Sequence, residues 1–215
     1  MKLAAIFPGQ GAQSVGMLAD IAQVYPSVKV KFEVASEVLG FDLWSMVQDG
    51  PGELLGSTEN TQPALLAASV ALWELWPQGA EKIDVMAGHS LGEYSALVCA
   101  GSIGFEDAIR LVRQRGELMQ RAVPNGQGGM AAILGLDDRD IEACCASVSG
   151  EVGAANYNAP GQVVIAGEMS ALDEAIEACK AAGAKRAVKL DVSGPFHCKL
   201  MAATADDFSK TLNEI

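Results

Sequence analysis

The stretch Val85-Met86-Ala87-Gly88-His89-Ser90-Leu91-Gly92-Glu93-Tyr94-Ser95-Ala96-Leu97 joins an apolar, strand-like segment to an amphipathic, helix-like one through a G-x-S-x-G pentapeptide. Small residues at 88 and 92 permit a strained strand-to-helix turn that lifts the Ser90 hydroxyl out of the fold, at the positive end of the following helix. That is the layout of a nucleophile elbow. A turn serine between two chance glycines satisfies the bare pattern equally well, so the rest of the chain has to decide.

Outward from this stretch, strands and helices alternate. Lys2-Leu3-Ala4-Ala5-Ile6-Phe7 reads as a buried strand, and Pro8-Gly9-Gln10-Gly11-Ala12-Gln13 as a glycine-punctuated loop. Helical periodicity follows over 27–39, 62–76 and 93–100, with a strand over 83–87 and a further helix from about Phe105. This order predicts an α/β fold with a parallel sheet and helices on both faces. From Gly128 the units shorten: strand 130–134, helix 138–148, strands 152–157 and 162–166, helix 170–182, strand 187–190. That is the split βαβ order of a ferredoxin-like α+β unit. We therefore expect a hydrolase-like large domain formed by 1–126 and 192–215, and a small domain inserted at 127–191. The boundaries fall at Pro124-Asn125-Gly126-Gln127-Gly128-Gly129 and Ser193-Gly194-Pro195.

The chain has 215 residues, half of them hydrophobic, which is enough for a sizeable core. Its formal charge of -12 argues against a nucleic-acid partner, since phosphate binding needs a concentrated basic surface. The first apolar run is cut short by Pro8-Gly9 and no apolar stretch is long enough for a bilayer, so the expectation is a cytoplasmic protein with no membrane partner. Five cysteines, an odd set without C-x-x-C spacing, read as reduced packing thiols, Cys198 and the vicinal Cys144-Cys145 included. With two histidines and no H-E-x-x-H, no metal site is expected. Gly9, Gly11 and Gly16 do not complete G-x-G-x-x-G, and the chain has no phosphate-binding P-loop. Trp73 and Trp76, at helical spacing, read as core or interface.

Four segments form a consistent set: Phe7-Pro8-Gly9-Gln10-Gly11-Ala12-Gln13, Gly88-His89-Ser90-Leu91-Gly92-Glu93, Gln114-Arg115-Gly116 with Met119, and Ser193-Gly194-Pro195-Phe196-His197. Together with Asn60-Thr61-Gln62-Pro63-Ala64 and Asn158-Ala159-Pro160-Gly161-Gln162, they resemble the malonyl-CoA:acyl-carrier-protein transacylase family and the related acyltransferase domains of polyketide synthases. The resemblance runs along the whole chain. It implies Ser90 as the acyl-carrying nucleophile, His197 as its general base, and the backbone amides of Gln10 and Leu91 as an oxyanion hole. Arg115 would hold the free carboxylate of malonate, a role suited to a planar, two-pronged guanidinium. Gln62, Met119 and Phe196 would line the acyl site, with the Phe196 ring crowding the acyl α-carbon. Arg110, Arg113 and Arg121 read as a solvated helix face, and His89 as structural support.

The implied substrates are malonyl-CoA and acyl-carrier protein, with no cofactor, since CoA is part of the substrate. Lys185, Arg186, Lys189 and Lys199 are candidates for a basic patch that meets an acidic carrier. Two other readings stay open. A serine hydrolase of the α/β-hydrolase kind predicts a third acid between nucleophile and histidine and leaves Arg115 without a task. A catalytically silent carrier-binding fragment is the other, because members of the family continue beyond the position of Ile215 and supply there the acceptor that orients the histidine. On that view these 215 residues are weakly active and self-associate through an exposed stripe of Leu200, Met201, Phe208 and Leu212 on a helix at 199–213.

Overall fold

The computed structural model describes residues 2–76, 82–124 and 126–213; Asn125 of the expected boundary loop lies outside them. In chain order the elements are β1 (Ala4–Phe7), α1 (Ala19–Val24), α2 (Ser27–Leu39), α3 (Leu43–Asp49), α4 (Gly52–Gly56), α5 (Thr58–Glu74), β2 (Val85–Gly88), α6 (Gly92–Cys99) and α7 (Phe105–Ala122). They continue as β3 (Gly128–Leu134), α8 (Asp138–Ser147), β4 (Val152–Ala159), β5 (Gln162–Glu168), α9 (Met169–Ala181), β6 (Arg186–Lys189) and α10 (Ala202–Leu212). The protein is α/β, and it divides into two compact units, Met1–Glu117 with Thr211–Ile215, and Leu118–Lys210.

In the first unit β1 and β2 pair in parallel, from Ala4 opposite Val85 to Phe7 opposite Gly88. A parallel pair needs a crossover, and the helices α1 to α5 supply it. The core gathers Val28 and Phe32 of α2, Leu43 and Val47 of α3, Leu65 and Leu66 of α5, and Ile109 and Val112 of α7. Trp44 closes one side of it, edge-on to Phe32 with ring centroids 5.0 Å apart. Helix α5 is buried around nearly its whole circumference, by a near-continuous apolar run from Pro63 to Trp73 and by the polar Thr58, Asn60, Thr61 and Gln62 before it.

Three departures from expectation concern this unit. Helices α3 and α4 lie where no helix was expected; Asp42 caps α3 by accepting from the Ser45 amide at 2.8 Å. Helix α5 starts at Thr58 rather than at 62, so Pro63 sits inside it. Proline has no amide to give to the carbonyl of Glu59 one turn earlier. Finally, Trp76 lies beyond the helix end and is 46% exposed, whereas Trp73 packs edge-on against Phe7 with centroids 6.0 Å apart.

In the second unit four strands form an antiparallel sheet in the order β4-β5-β3-β6. Strand alternation divides their side chains between two faces. Ala131, Ile133, Val163 and Ile165 pack under Ile141 and Cys145 of α8 and Leu172, Ile176 and Cys179 of α9. Met130, Val164 and Ala166 form a second, smaller cluster with Phe196. Burial pushes the thiol of Cys179 up to about 12 and that of Cys145 up to about 11, so both are packing residues rather than nucleophiles. A single turn of 3-10 helix at Lys199–Met201 leads into α10. The expected apolar stripe is largely covered: Leu200, Met201 and Phe208 are half-buried, Met201 against the Phe196 cluster, and of the four only Leu212 is exposed.

Candidate active site

Ser90 stands at the turn between β2 and α6 with φ 53, the left-handed region that non-glycine residues rarely occupy. The strain persists because the neighbours leave no alternative. A Cβ on Gly88 would overlap the carbonyl of Gly92, and a Cβ on Gly92 would overlap the Phe7 carbonyl of β1. The turn is then fastened by backbone bonds: the His89 amide donates to Phe7 at 3.1 Å and the Gly92 amide to His89 at 2.9 Å. His89 itself is exposed, its carbonyl and Nδ1 lying over Gly9. Replacing Gly88 with alanine is expected to cost about 3 kcal/mol, a fall in Tm of roughly 6–12 °C. Thermal unfolding checks this, and an unchanged Tm would mean that the elbow opens without strain.

Helix α7 crosses α5 at Gly116, where a Cβ would lie 2.5 Å from the Glu59 Cα. This close approach delivers Arg115 to the turn. Its Nη1 donates to Gln62 Oε1 at 2.7 Å and its Nη2 to Ser90 Oγ at 3.2 Å. The guanidinium also lies over the Tyr94 ring, 5.5 Å from the centroid. Burial pulls the Arg115 pKa below its ordinary value, opposed by Tyr94 and Glu93, and burial raises that of Tyr94. A guanidinium only donates, so the Ser90 oxygen accepts from it and keeps its own proton for a base. The charge at 3.2 Å also favours a developing alkoxide.

Gln10, in the loop after β1, turns its side chain inward and accepts from the Thr58 hydroxyl at 2.8 Å. Leu91 is buried and directly precedes the first turn of α6. Gln10, Gln62, Ser90, Leu91 and Arg115 therefore all belong to the first unit, where hydrogen bonds link Ser90 through Arg115 to Gln62.

In the second unit, His197 is exposed with φ 61, next to buried Phe196. Met119 packs against the cluster that holds the Phe196 ring. Cys198 turns back, its Sγ donating to the Pro195 carbonyl at 3.0 Å. The basic patch is partly neutralised: Lys189 pairs with Asp173 at 2.6 Å and Lys199 with Glu151 at 3.4 Å. Among the described residues no three His, Cys, Asp or Glu side chains gather as a metal site.

Two readings need revision or addition. Arg113 is not part of a solvated face. Its Nη1 reaches Asn60 Oδ1 at 2.5 Å and the Glu59 carbonyl at 3.3 Å, the acceptor that Pro63 leaves without a helical donor. Arg110, by contrast, is 58% exposed and bridges to Glu106 and Asp107. Thr58 and Tyr94 were not singled out, although Thr58 stands four residues before Gln62 on one helix face, a spacing that signals side-chain contact.

The comparisons with known proteins agree with one another. A family model for the acyl transferase domain matches residues 5–215. The malonyl CoA-acyl carrier protein transacylase of Salmonella typhimurium is 58% identical over 217 residues, which cover 100% of this chain and 70% of the relative. Its counterpart in Escherichia coli K12 is 57% identical with the same coverage. Among solved structures, an acyl carrier protein S-malonyltransferase from Vibrio cholerae is 59% identical with a TM-score of 0.94, covering 100% of this chain and 71% of that one. PlMCAT:AntF, a type II PKS acyl-carrier protein in complex with its malonyl-transacylase, gives a TM-score of 0.97 at 56% identity, again covering 100% and 71%.

Proposed function

Because the chain belongs to the acyl transferase domain family, we propose that it transfers a malonyl group from malonyl-CoA to the phosphopantetheine thiol of acyl-carrier protein, by a ping-pong route through malonyl-Ser90. The observation that carries this reading is the Arg115 guanidinium 3.2 Å from the hydroxyl of an elbow serine. A nucleophile with a fixed cation beside it suits an acyl group that bears its own carboxylate. A hydrolase has no need of that cation.

Ser90 Oγ attacks the thioester carbon while His197 takes its proton. The tetrahedral oxyanion lies against the Gln10 and Leu91 amides. The carbon–sulfur bond then breaks, His197 returns the proton to the CoA thiolate, and malonyl-Ser90 remains. Next the carrier's thiol loses its proton to His197 and attacks the ester carbon, and Ser90 leaves and regains a proton. CoA enters and departs as substrate, and the reaction consumes no cofactor. Throughout, Arg115 grips the malonyl carboxylate with its two-pronged face, while Gln62, Met119 and Phe196 bound the acyl site.

The same proposal treats 127–191 as a ferredoxin-like insert in a hydrolase-like body made by 1–126 and 192–215. In support, the four-stranded antiparallel sheet lies between Gly128 and Lys189, with two helices on one face. It also sets the protein in the cytoplasm, in keeping with five unbridged cysteines and with the lack, among the described residues, of a helix long and apolar enough to cross a membrane.

Intact-mass spectrometry after mixing with malonyl-CoA is the direct test. A malonyl adduct localised to Ser90 is expected, and its lasting absence would overturn the reading. A second expectation concerns Phe196, which is 5% exposed. Phe196→Ser is expected to raise the methylmalonyl-to-malonyl ratio of kcat/KM by roughly 10- to 200-fold. Because the ring is packed on Met130 and Val164, it is also expected to cost about 3–5 kcal/mol of stability. A lowered Tm with an unchanged ratio would make Phe196 a packing residue alone.

A further inference from the structure

We infer that Thr58 is a positioning residue whose buried hydroxyl relays the orientation of Arg115 to the Gln10 loop. The inference rests on the acyl-transfer reading above. It starts from a run of hydrogen bonds inside the first unit: Arg115 Nη1 to Gln62 Oε1 at 2.7 Å, Gln62 Nε2 to Thr58 Oγ1 at 3.1 Å, and Thr58 Oγ1 to Gln10 Oε1 at 2.8 Å. Thr58 is 0% exposed and Gln62 1%, so bulk water does not substitute for these partners.

The chain has a fixed sense. Arginine has donors only, so the Gln62 group facing it must be the carbonyl oxygen. The Gln62 amide nitrogen then faces Thr58 and can only donate, which makes the Thr58 oxygen an acceptor. Its single proton is left for Gln10, whose side-chain carbonyl receives it. One cation thereby sets the direction of every bond up to the loop that carries the Gln10 amide. Each bond also polarises the next.

Carboxylate recognition and oxyanion stabilisation are in this way parts of one network. A hydroxyl at 58 is the only group in the run that both accepts and donates through the same atom, so an isosteric residue without it cuts the relay. Without that acceptor, Gln62 Nε2 loses its bond to position 58, so the side chain that receives Arg115 Nη1 is held less firmly and the cost falls chiefly on the acyl group that needs Arg115.

The test compares Thr58→Val with Thr58→Ser for malonyl and acetyl transfer from the CoA thioesters. Thr58→Val is expected to lower kcat/KM for malonyl by about 10- to 100-fold and for acetyl by no more than about 5-fold, with Thr58→Ser restoring most of the malonyl rate. In an Arg115→Ala background Thr58→Val is expected to change malonyl transfer by less than 3-fold, because the relay has already lost its source. Equal losses for both acyl groups, no rescue by serine, or a full additive loss in the Arg115→Ala background would overturn the relay and leave Thr58 a packing residue. If the unaltered protein forms no malonyl-Ser90 adduct, the acyl-transfer reading falls and the relay falls with it. If the adduct forms and Thr58→Val transfers normally, only the relay falls.

Discussion

Ser90→Ala is expected to abolish the covalent malonyl adduct and to reduce malonyl transfer by at least about 10³-fold, while the protein unfolds at nearly the same temperature. The chemical loss is complete because alanine carries no nucleophile, and any residual rate must come from direct attack by the carrier's thiol. The structural loss is small for three reasons. Alanine at φ 53 bears the same strain as serine, since both carry one Cβ. The side chain removed is half-buried and leaves no core volume empty. The bond forfeited from Arg115 Nη2 is worth about 0.5–1.5 kcal/mol net for a contact at 3.2 Å. Intact mass and a thermal melt on the same sample check both halves. An adduct that persists on the variant would transfer the role of nucleophile to another residue.

Arg115→Ala is expected to lower kcat/KM for malonyl by roughly 30- to 100-fold relative to acetyl, the equivalent of about 2–3 kcal/mol for a charge-assisted contact. Arg115→Lys should recover little of it. An ammonium reaches with one point of charge, and it cannot at once donate in one plane to Gln62, rest on the Tyr94 face and grip a carboxylate with two parallel bonds. Steady-state transfer from malonyl-CoA and acetyl-CoA separates the cases. Equal losses for the two acyl groups would make Arg115 a scaffold that holds α5 and α7 together.

Much of this was readable in the chain because local chemistry and fold agree there. Gly88 and Gly92 announce an elbow, and the structure needs both because the backbones of β2, α6 and β1 meet without room for a side chain. Met130 to Leu134 is apolar throughout, which marks a strand but not its inward face, and it is the structure that turns Ala131 and Ile133 toward α8 and α9. What sequence could not give was the meaning of residues that act across long separations. Arg113 looks like any surface arginine until Pro63, fifty residues earlier in sequence, is seen to strand the Glu59 carbonyl that it then occupies. Thr58 precedes the helix expected over 62–76, so its i, i+4 relation to Gln62 falls outside that helix. Short helices such as α3 and α4, with the Gly50-Pro51 dipeptide between them, lack the length for a periodic signal.

The polar side chains at the start of α5, ahead of its apolar run, carry a lesson for anyone who would re-purpose this site. Thr58, Asn60, Thr61 and Gln62 are all buried, and each has a partner: Gln10, Arg113, the Leu55 carbonyl and Arg115 respectively. An acyl group without charge invites an aliphatic side chain in place of Arg115, yet that single exchange takes from the Gln62 carbonyl its charged donor in a dry seam. Retargeting the enzyme is therefore a problem of rewriting a sentence rather than a letter: positions 58, 62 and 115 have to be redesigned as one unit, polar together or apolar together.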